Sequence, residues 1–273
     1  MTTLAVDTAL AGFERAVAQD ERRERRHGVL VLLAQLGTAA LLIGAWQLAV
    51  WRGWANPVYV GSPAEVLTEL WRSTINGFFF VQSVPTLTAI ALSFLLAGTV
   101  GIAAGVLLHE VAFLNRVLGP FIAAINGVPR IALAPVTIVW FGLGLASKVA
   151  LAFSLVVFIV LVTTEAALRN VDSDLVRLCR ALGATRLKTL FAVKLPWALP
   201  GIFAGLRLGL LYAIVSVIVN EMIASPDGLG QLIALYSNTF QISRMFAVLA
   251  FTSIATILAD TVLQRIEKRL RVW

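Results

Sequence analysis

The amino-acid sequence predicts an all-α membrane protein with six transmembrane helices. Its 273 residues are 59% hydrophobic and 14% charged, with a mean hydropathy of +0.88, more apolar than a soluble core of this length needs. The apolar residues also fall in long runs, close to the roughly 20 residues that a helix needs to cross the hydrocarbon. The net charge of +7 lies in short clusters beside those runs. It makes no continuous basic face, so it reads as a topology signal and not as a nucleic-acid surface.

Residues 1–28, with "FERAVAQDERRERRH", mix both charge signs and are expected to form a cytoplasmic segment. The next run, "VLVLLAQLGTAALLIGAWQLAV" (29–50), contains no charged residue. It is too long for a signal-peptide core and makes the first span. Trp46, Trp51 and Trp54 fit an aromatic belt at its outer end. Before residue 78, "SPAEVLTELWRS" offers Ser62 as a cap and Val66, Leu67 and Leu70 as one apolar side of a short outer helix. The second span, 81–108, is also uncharged, and its Gly98, Gly101 and Gly105 suit close helix packing. Four further spans are expected at 117–141, 147–166, 200–222 and 245–264, followed by a basic tail, 265–273.

Most Lys and Arg lie on the side of the termini, including Arg116, the arginines between the fourth and fifth spans, and Lys268. The opposite side holds only Arg52, Arg72, Lys148 and Arg244. Both termini are therefore expected in the cytoplasm.

The segment "EAALRNVDSDLVRLCRALGATRLKTLFAVKLP" (165–196) is basic and amphipathic between two oily spans. Asp172 or Ser173 can cap a helix in which Leu175, Leu178 and Leu182 recur at helical spacing. Gly183 then suits a left-handed turn, and Thr185 can cap a second helix that Pro196 is expected to stop. Pattern alone leaves two uses open: an interfacial helix pair on anionic lipid, or a knob for a soluble partner.

Glu165-Ala166-Ala167, Gly183 and Leu195-Pro196 together resemble the "EAA" loop of ABC importer permeases. "NGVPRIALAPVTIVWFGLGLASK" (126–148), "LPWALPGIFAGLRLGL" (195–210) and "NEMIASPDGLGQLI" (220–233) are similar to segments of the nitrate, sulfonate and taurine branch of that family. The resemblance implies a type I ABC importer permease fold in which 79–264 is the transmembrane domain and 165–196 carries cytoplasmic coupling helices. It further implies that Glu165, Ala166, Leu175, Leu178, Leu182, Gly183 and Ala184 meet an ATPase subunit. Two such subunits, a second copy of this chain, an external solute-binding protein and a bacterial inner membrane complete the expected assembly. ATP and Mg would be used by the partner, since this chain holds no G-x-x-x-x-G-K-[ST] loop.

Inside the spans, Arg130 stands between Pro129 and Pro135, which predicts a kinked or unwound helix where Asn126, Arg130 and Thr137 can line a path. Either Arg130 is a cationic site for a passing anion, or it pairs with a carboxylate such as Glu221 or reaches the interface. Glu221, before the "SPDGLG" turn, is a gate or an interfacial carboxylate. Arg207 and Asp260 are explained by snorkelling. One cysteine, Cys179, and two distant histidines leave no disulfide or metal cluster. The expected solute is a small oxyanion, with a vitamin or pyrimidine precursor as the alternative. A gated channel and an intramembrane enzyme are the rivals from other classes.

Overall fold

The structure, a computed structural model, describes residues 30–270. The expected N-terminal segment 1–28 and the last three residues of the tail lie outside the described residues. Every regular element among the described residues is helical.

The chain divides into two compact units, 1–64 and 65–273. In the first, α1 (Leu30–Trp51) is a 22-residue apolar helix, and α2 (Pro57–Val60) is a single turn capped by Asn56, whose side chain accepts from the Val58 N–H. Gln47 ties the following loop to α1: its Oε1 accepts from the Ser62 hydroxyl at 3.3 Å and from the Ala64 N–H at 3.1 Å.

The second unit runs through α3 (Pro63–Ile75), α4 (Phe78–Glu110) and α5 (Ala112–Asn126) to a 3₁₀ turn (Arg130–Leu133) and α6 (Ala134–Phe141). Then come α7 (Leu145–Arg169), α8 (Ser173–Ala181), α9 (Arg186–Thr189), α10 (Leu195–Ala224), α11 (Leu229–Asn238) and α12 (Ile242–Leu270). Among the described residues five helices are long and apolar enough to span a membrane. α5 with 130–141 makes a sixth when that pair, bent by 77°, counts as one span. The bend falls where the two prolines predict it. Pro129 precedes the 3₁₀ turn and Pro135 opens α6, each at a position where a missing N–H leaves no helical bond unmade.

One expectation fails at Pro196. Helix α9 does not stop there; it passes through a π-helical turn, Leu190–Lys194, straight into α10, giving a continuous rod from Arg186 to Ala224. The Leu195 N–H bonds the Leu190 carbonyl, five residues back, and this wider turn carries the ladder into the residue before Pro196. A proline is tolerated in the first turn of the α-helical stretch that follows. At about 1.5 Å per residue the 39-residue rod is close to 60 Å long, about twice the hydrocarbon thickness of ~30 Å. Roughly half of it therefore extends beyond the bilayer core.

Helices α4, α7 and α10 meet in the main core, built from Ala89, Ala97, Val156, Val160, Leu210, Ala213 and Val217. Glycine makes the close approach possible. A Cβ on Gly101 would sit 2.8 Å from the Val157 carbonyl oxygen, and one on Gly105 would sit 2.7 Å from Thr164 Cβ. A second cluster packs α11 on the starts of α4 and α12 through Phe79, Leu229, Leu232 and Val248, with Val66 and Leu70 of α3 against it. Leu67, expected on that same side, is exposed. A third cluster, Leu168, Leu190, Ala198 and Ile202, seats the π turn against the end of α7.

Gly105→Val is expected to force α4 and α7 apart and to cost about 1–3 kcal/mol of overpacking. It should show as a lower Tm in detergent by fluorescence-monitored melting. Gly98→Ala is the control, because its Cβ would meet only the flexible tip of Leu206 at 3.3 Å; equal losses for the two variants would refute the close-packing account.

Candidate functional site

At the end of the bundle where α7 stops, the chain makes the expected helix, glycine turn and helix. The Asp172 carboxylate caps α8 by accepting from the Asp174 N–H, and Gly183 takes the left-handed conformation at φ 79°. Thr185 caps α9 through the Lys188 N–H. Glu165, on the last turns of α7, accepts from Asn115 Nδ2 at 3.1 Å and pairs with Arg169. Ala166 is exposed beside it, and Leu175 and Ala184 are half-buried. Leu178 and Leu182 are exposed, as are Leu187 and Phe191 on the second helix. These last two were not singled out from the sequence, although their spacing of four residues was a readable signal. Four large apolar side chains thus stand in the open, ringed by Arg177, Arg180, Arg186 and Lys188. Lys194 anchors the base of this segment with its Nζ 2.6 Å from Glu110 Oε1.

At the break between α5 and α6, Arg130 is buried. Its guanidinium donates to the Ser154 carbonyl (2.8 Å), the Ile125 carbonyl (3.0 Å) and Asn126 Oδ1 (2.8 Å), and it lies 4.0 Å from the centre of the Phe158 ring. The expected pairing with Glu221 does not occur. The oxygens that Arg130 donates to are all neutral, and among the described residues no carboxylate lies within ion-pair distance of it. The structure brings Asn126 and Arg130 together; Thr137, one turn into α6, instead accepts from Asn220 of α10 at 3.3 Å.

Glu221 is buried at 1% exposure, which excludes an interfacial carboxylate. Lys148 Nζ lies 2.9 Å from Glu221 Oε1 and 2.9 Å from Asp227 Oδ1. The Thr86 hydroxyl donates to Glu221 at 2.9–3.0 Å, and the Gly230 N–H donates to its Oε2 at 2.9 Å. The Leu229 N–H in turn donates to Thr86 Oγ1. One carboxylate therefore ties α4, α7, α10 and α11 together at the end opposite α8. Gly228, at φ 106°, leaves the space that Glu221 fills. Lys148, expected as a charge on the outer face, stands in the first turn of α7 and is 2% exposed. Arg207 and Asp260 depart from expectation. They are not separate snorkelling groups, because Arg207 bridges Asp260 (3.2 Å) and Glu267 (2.7 Å), joining α10 to α12.

A helical unit of apolar spans with an exposed apolar helix–turn–helix at one end and a broken span in its wall has the architecture of a membrane permease. Residues 97–272, more than half of the chain, match the family described as binding-protein-dependent transport system inner membrane component, and the chain belongs to that family. It is 32% identical over 236 residues to the riboflavin transport system permease protein of Chloroflexus aurantiacus, covering 86% of this chain and 88% of that protein. It is 28% identical over 243 residues to the taurine transport system permease protein of Escherichia coli, covering 87% and 88%. In fold it is similar to the inward-facing MetNI methionine ABC transporter, with a TM-score of 0.63 and 24% identity over 71% of this chain and 96% of that one. The chain is a multi-pass permease subunit of the ABC importer class.

Lys148→Met leaves a buried carboxylate without its cation and is expected to cost about 3–5 kcal/mol. The double variant Lys148→Met/Glu221→Gln should recover much of that. Thermal melting of the wild type, Lys148→Met, Glu221→Gln and the double variant closes the cycle, and additive losses would show that the pair does not act as a unit.

Proposed function

We propose that this permease moves a small solute through an ATP-driven cycle. Two copies pair with two ATPase chains on the cytoplasmic side and receive the solute from an external binding protein. ATP and Mg are used by the partner chains. The observation that carries the reading is the exposure of Leu178, Leu182, Leu187 and Phe191 around a glycine turn. Apolar ridges on short helices of this kind fit a groove on a soluble protein. Glu165, Ala166, Leu175, Gly183 and Ala184 border that ridge and complete the contact. Because positive charge gathers at the same end, that end faces the cytoplasm, and both termini lie on its side of a bacterial inner membrane.

The solute reading is an oxyanion. Its support is the cation of Arg130, buried beside Asn126 at the broken span with only neutral oxygens as partners, so a positive field persists in a dry region. Thr137 lies further along the same wall, and Glu221 is the candidate gate residue at its far end, held shut by Lys148. The taurine, aliphatic sulfonate and nitrate permeases among the relatives agree with an anion. The riboflavin and formylaminopyrimidine permeases keep a neutral or vitamin-like solute as the second reading.

Gly183→Asp should leave the chain folded, since an added Cβ meets nothing within 4 Å, yet abolish uptake and co-purification of the ATPase. Normal ATP-driven uptake by this variant would sink the docking reading. Arg130→Gln should lower the maximal rate of anion uptake at least tenfold, an effect of about 1.4 kcal/mol, with the protein still in the membrane. Unchanged uptake of an anionic solute in vesicles would remove the oxyanion reading and promote the vitamin-like one.

A further inference from the structure

Beside the α8 end of the bundle, a cavity of about 380 Å³ opens between the end of α4, the start of α5 and the end of α7. It is lined by His109, Ala112, Asn115, Arg116, Glu165 and Arg169. Its depth follows from the spans: His109 is the residue before the end of α4, and Arg169 is the last residue of α7. Both apolar runs end here, so the cavity lies at the level where hydrocarbon gives way to headgroups.

Its charges are unevenly satisfied. Arg169 is paired with Glu165, which also accepts from Asn115. Lys194, beside His109 at 3.3 Å, is paired with Glu110. Arg116 makes no ion pair with any described residue, and it is the cation that leaves the lining net positive. Below it, Phe113, Val117 and Phe121 recur every four residues and are exposed, forming an apolar strip on α5 next to the basic mouth. A phosphate ester in the cavity would meet Arg116 and Arg169 at its head, with that strip beside its tails. Basic pockets between spans at this depth hold acidic lipid headgroups.

We propose that this cavity binds the headgroup phosphate of an anionic phospholipid, with Arg116 and Arg169 as the phosphate-binding residues and Phe113, Val117 and Phe121 against an acyl chain. Entry of the phosphate draws Arg169 away from Glu165. The lipid therefore acts on the same last turn of α7 from which the α8–α9 segment departs.

The test is native mass spectrometry of the full-length chain released from nanodiscs of equal phosphatidylglycerol and phosphatidylcholine. It needs neither ATP nor solute, so it stands or fails independently of the transport reading. The wild type should retain phosphatidylglycerol over phosphatidylcholine by about tenfold or more, from two arginines at the membrane surface. Arg116→Gln/Arg169→Gln should lose that preference and Arg116→Lys/Arg169→Lys should keep most of it. If the double glutamine variant does not fold, Arg116→Gln alone, which breaks no ion pair, should still reduce the preference severalfold. Equal retention of both lipids by the wild type, or an unchanged preference in the folded glutamine variants, overturns the proposal. So does binding of inorganic phosphate without any preference for phosphatidylglycerol, which would assign the cavity to a free anion.

Discussion

The buried pair of Lys148 and Glu221 constrains the rest of this molecule. Neither charge has water to solvate it, and taking each out of water alone costs several kcal/mol. They are tolerated because every neighbour contributes: the Thr86 hydroxyl, the Gly230 N–H and Asp227 complete the coordination that water would otherwise provide. The pair stands on α7 and α10, and those partners add α4, α11 and one turn. Satisfying a single carboxylate therefore fixes where α4, α7, α10 and α11 meet, and the glycine at 228 is required because a side chain there would occupy the place of the carboxylate itself. Away from this point α4, α7 and α10 approach one another closely through Gly101, Gly105 and Gly205. Van der Waals contact of that kind gives closeness without choosing a register. The polar network supplies the register.

The second constraint comes from Arg130. A helix interrupted inside the bilayer must have its freed backbone groups satisfied by the protein. The carbonyl of Ile125, in the last turn of α5, receives one guanidinium bond, and the carbonyl of Ser154 on α7 receives another. The arginine thus stitches the break to the neighbouring span while keeping its charge, because carbonyls accept hydrogen bonds without neutralising a cation. Structural and electrostatic roles are not rivals at this residue. The bonds that hold the bend are what allow a positive charge to persist there.

The six spans, their order and the bend are legible in the sequence because apolar runs, proline and glycine act locally. The Asp172 cap, the left-handed Gly183 and the Thr185 cap are local in the same sense. What escapes local reasoning is pairing. Lys148 and Glu221 are 73 residues apart and Arg207 and Glu267 are 60 apart, so charges that look like an outer-face cation and a snorkelling arginine are each half of a tertiary contact. Pro196 misleads for a related reason. The π turn before it carries the chain straight into α10, and a proline in the first turn of that helix costs no helical bond.

That π turn also determines how the two ends of the molecule are connected. Had Pro196 broken the helix, α9 would hang on a loop and its motion would be absorbed there. Instead the exposed face of α9 and the carboxylate of Glu221 belong to one rod. The turn lies on the other side of α9, at Gly183, where the backbone takes a left-handed conformation that only glycine adopts freely. The same helix carries Glu221 of the Lys148 network near its other end, with Pro200 inside it between the two. One continuous helix thus joins the exposed face of α9 to the buried polar network at the opposite end, and a network built on discrete partners has discrete arrangements and no continuous range of positions.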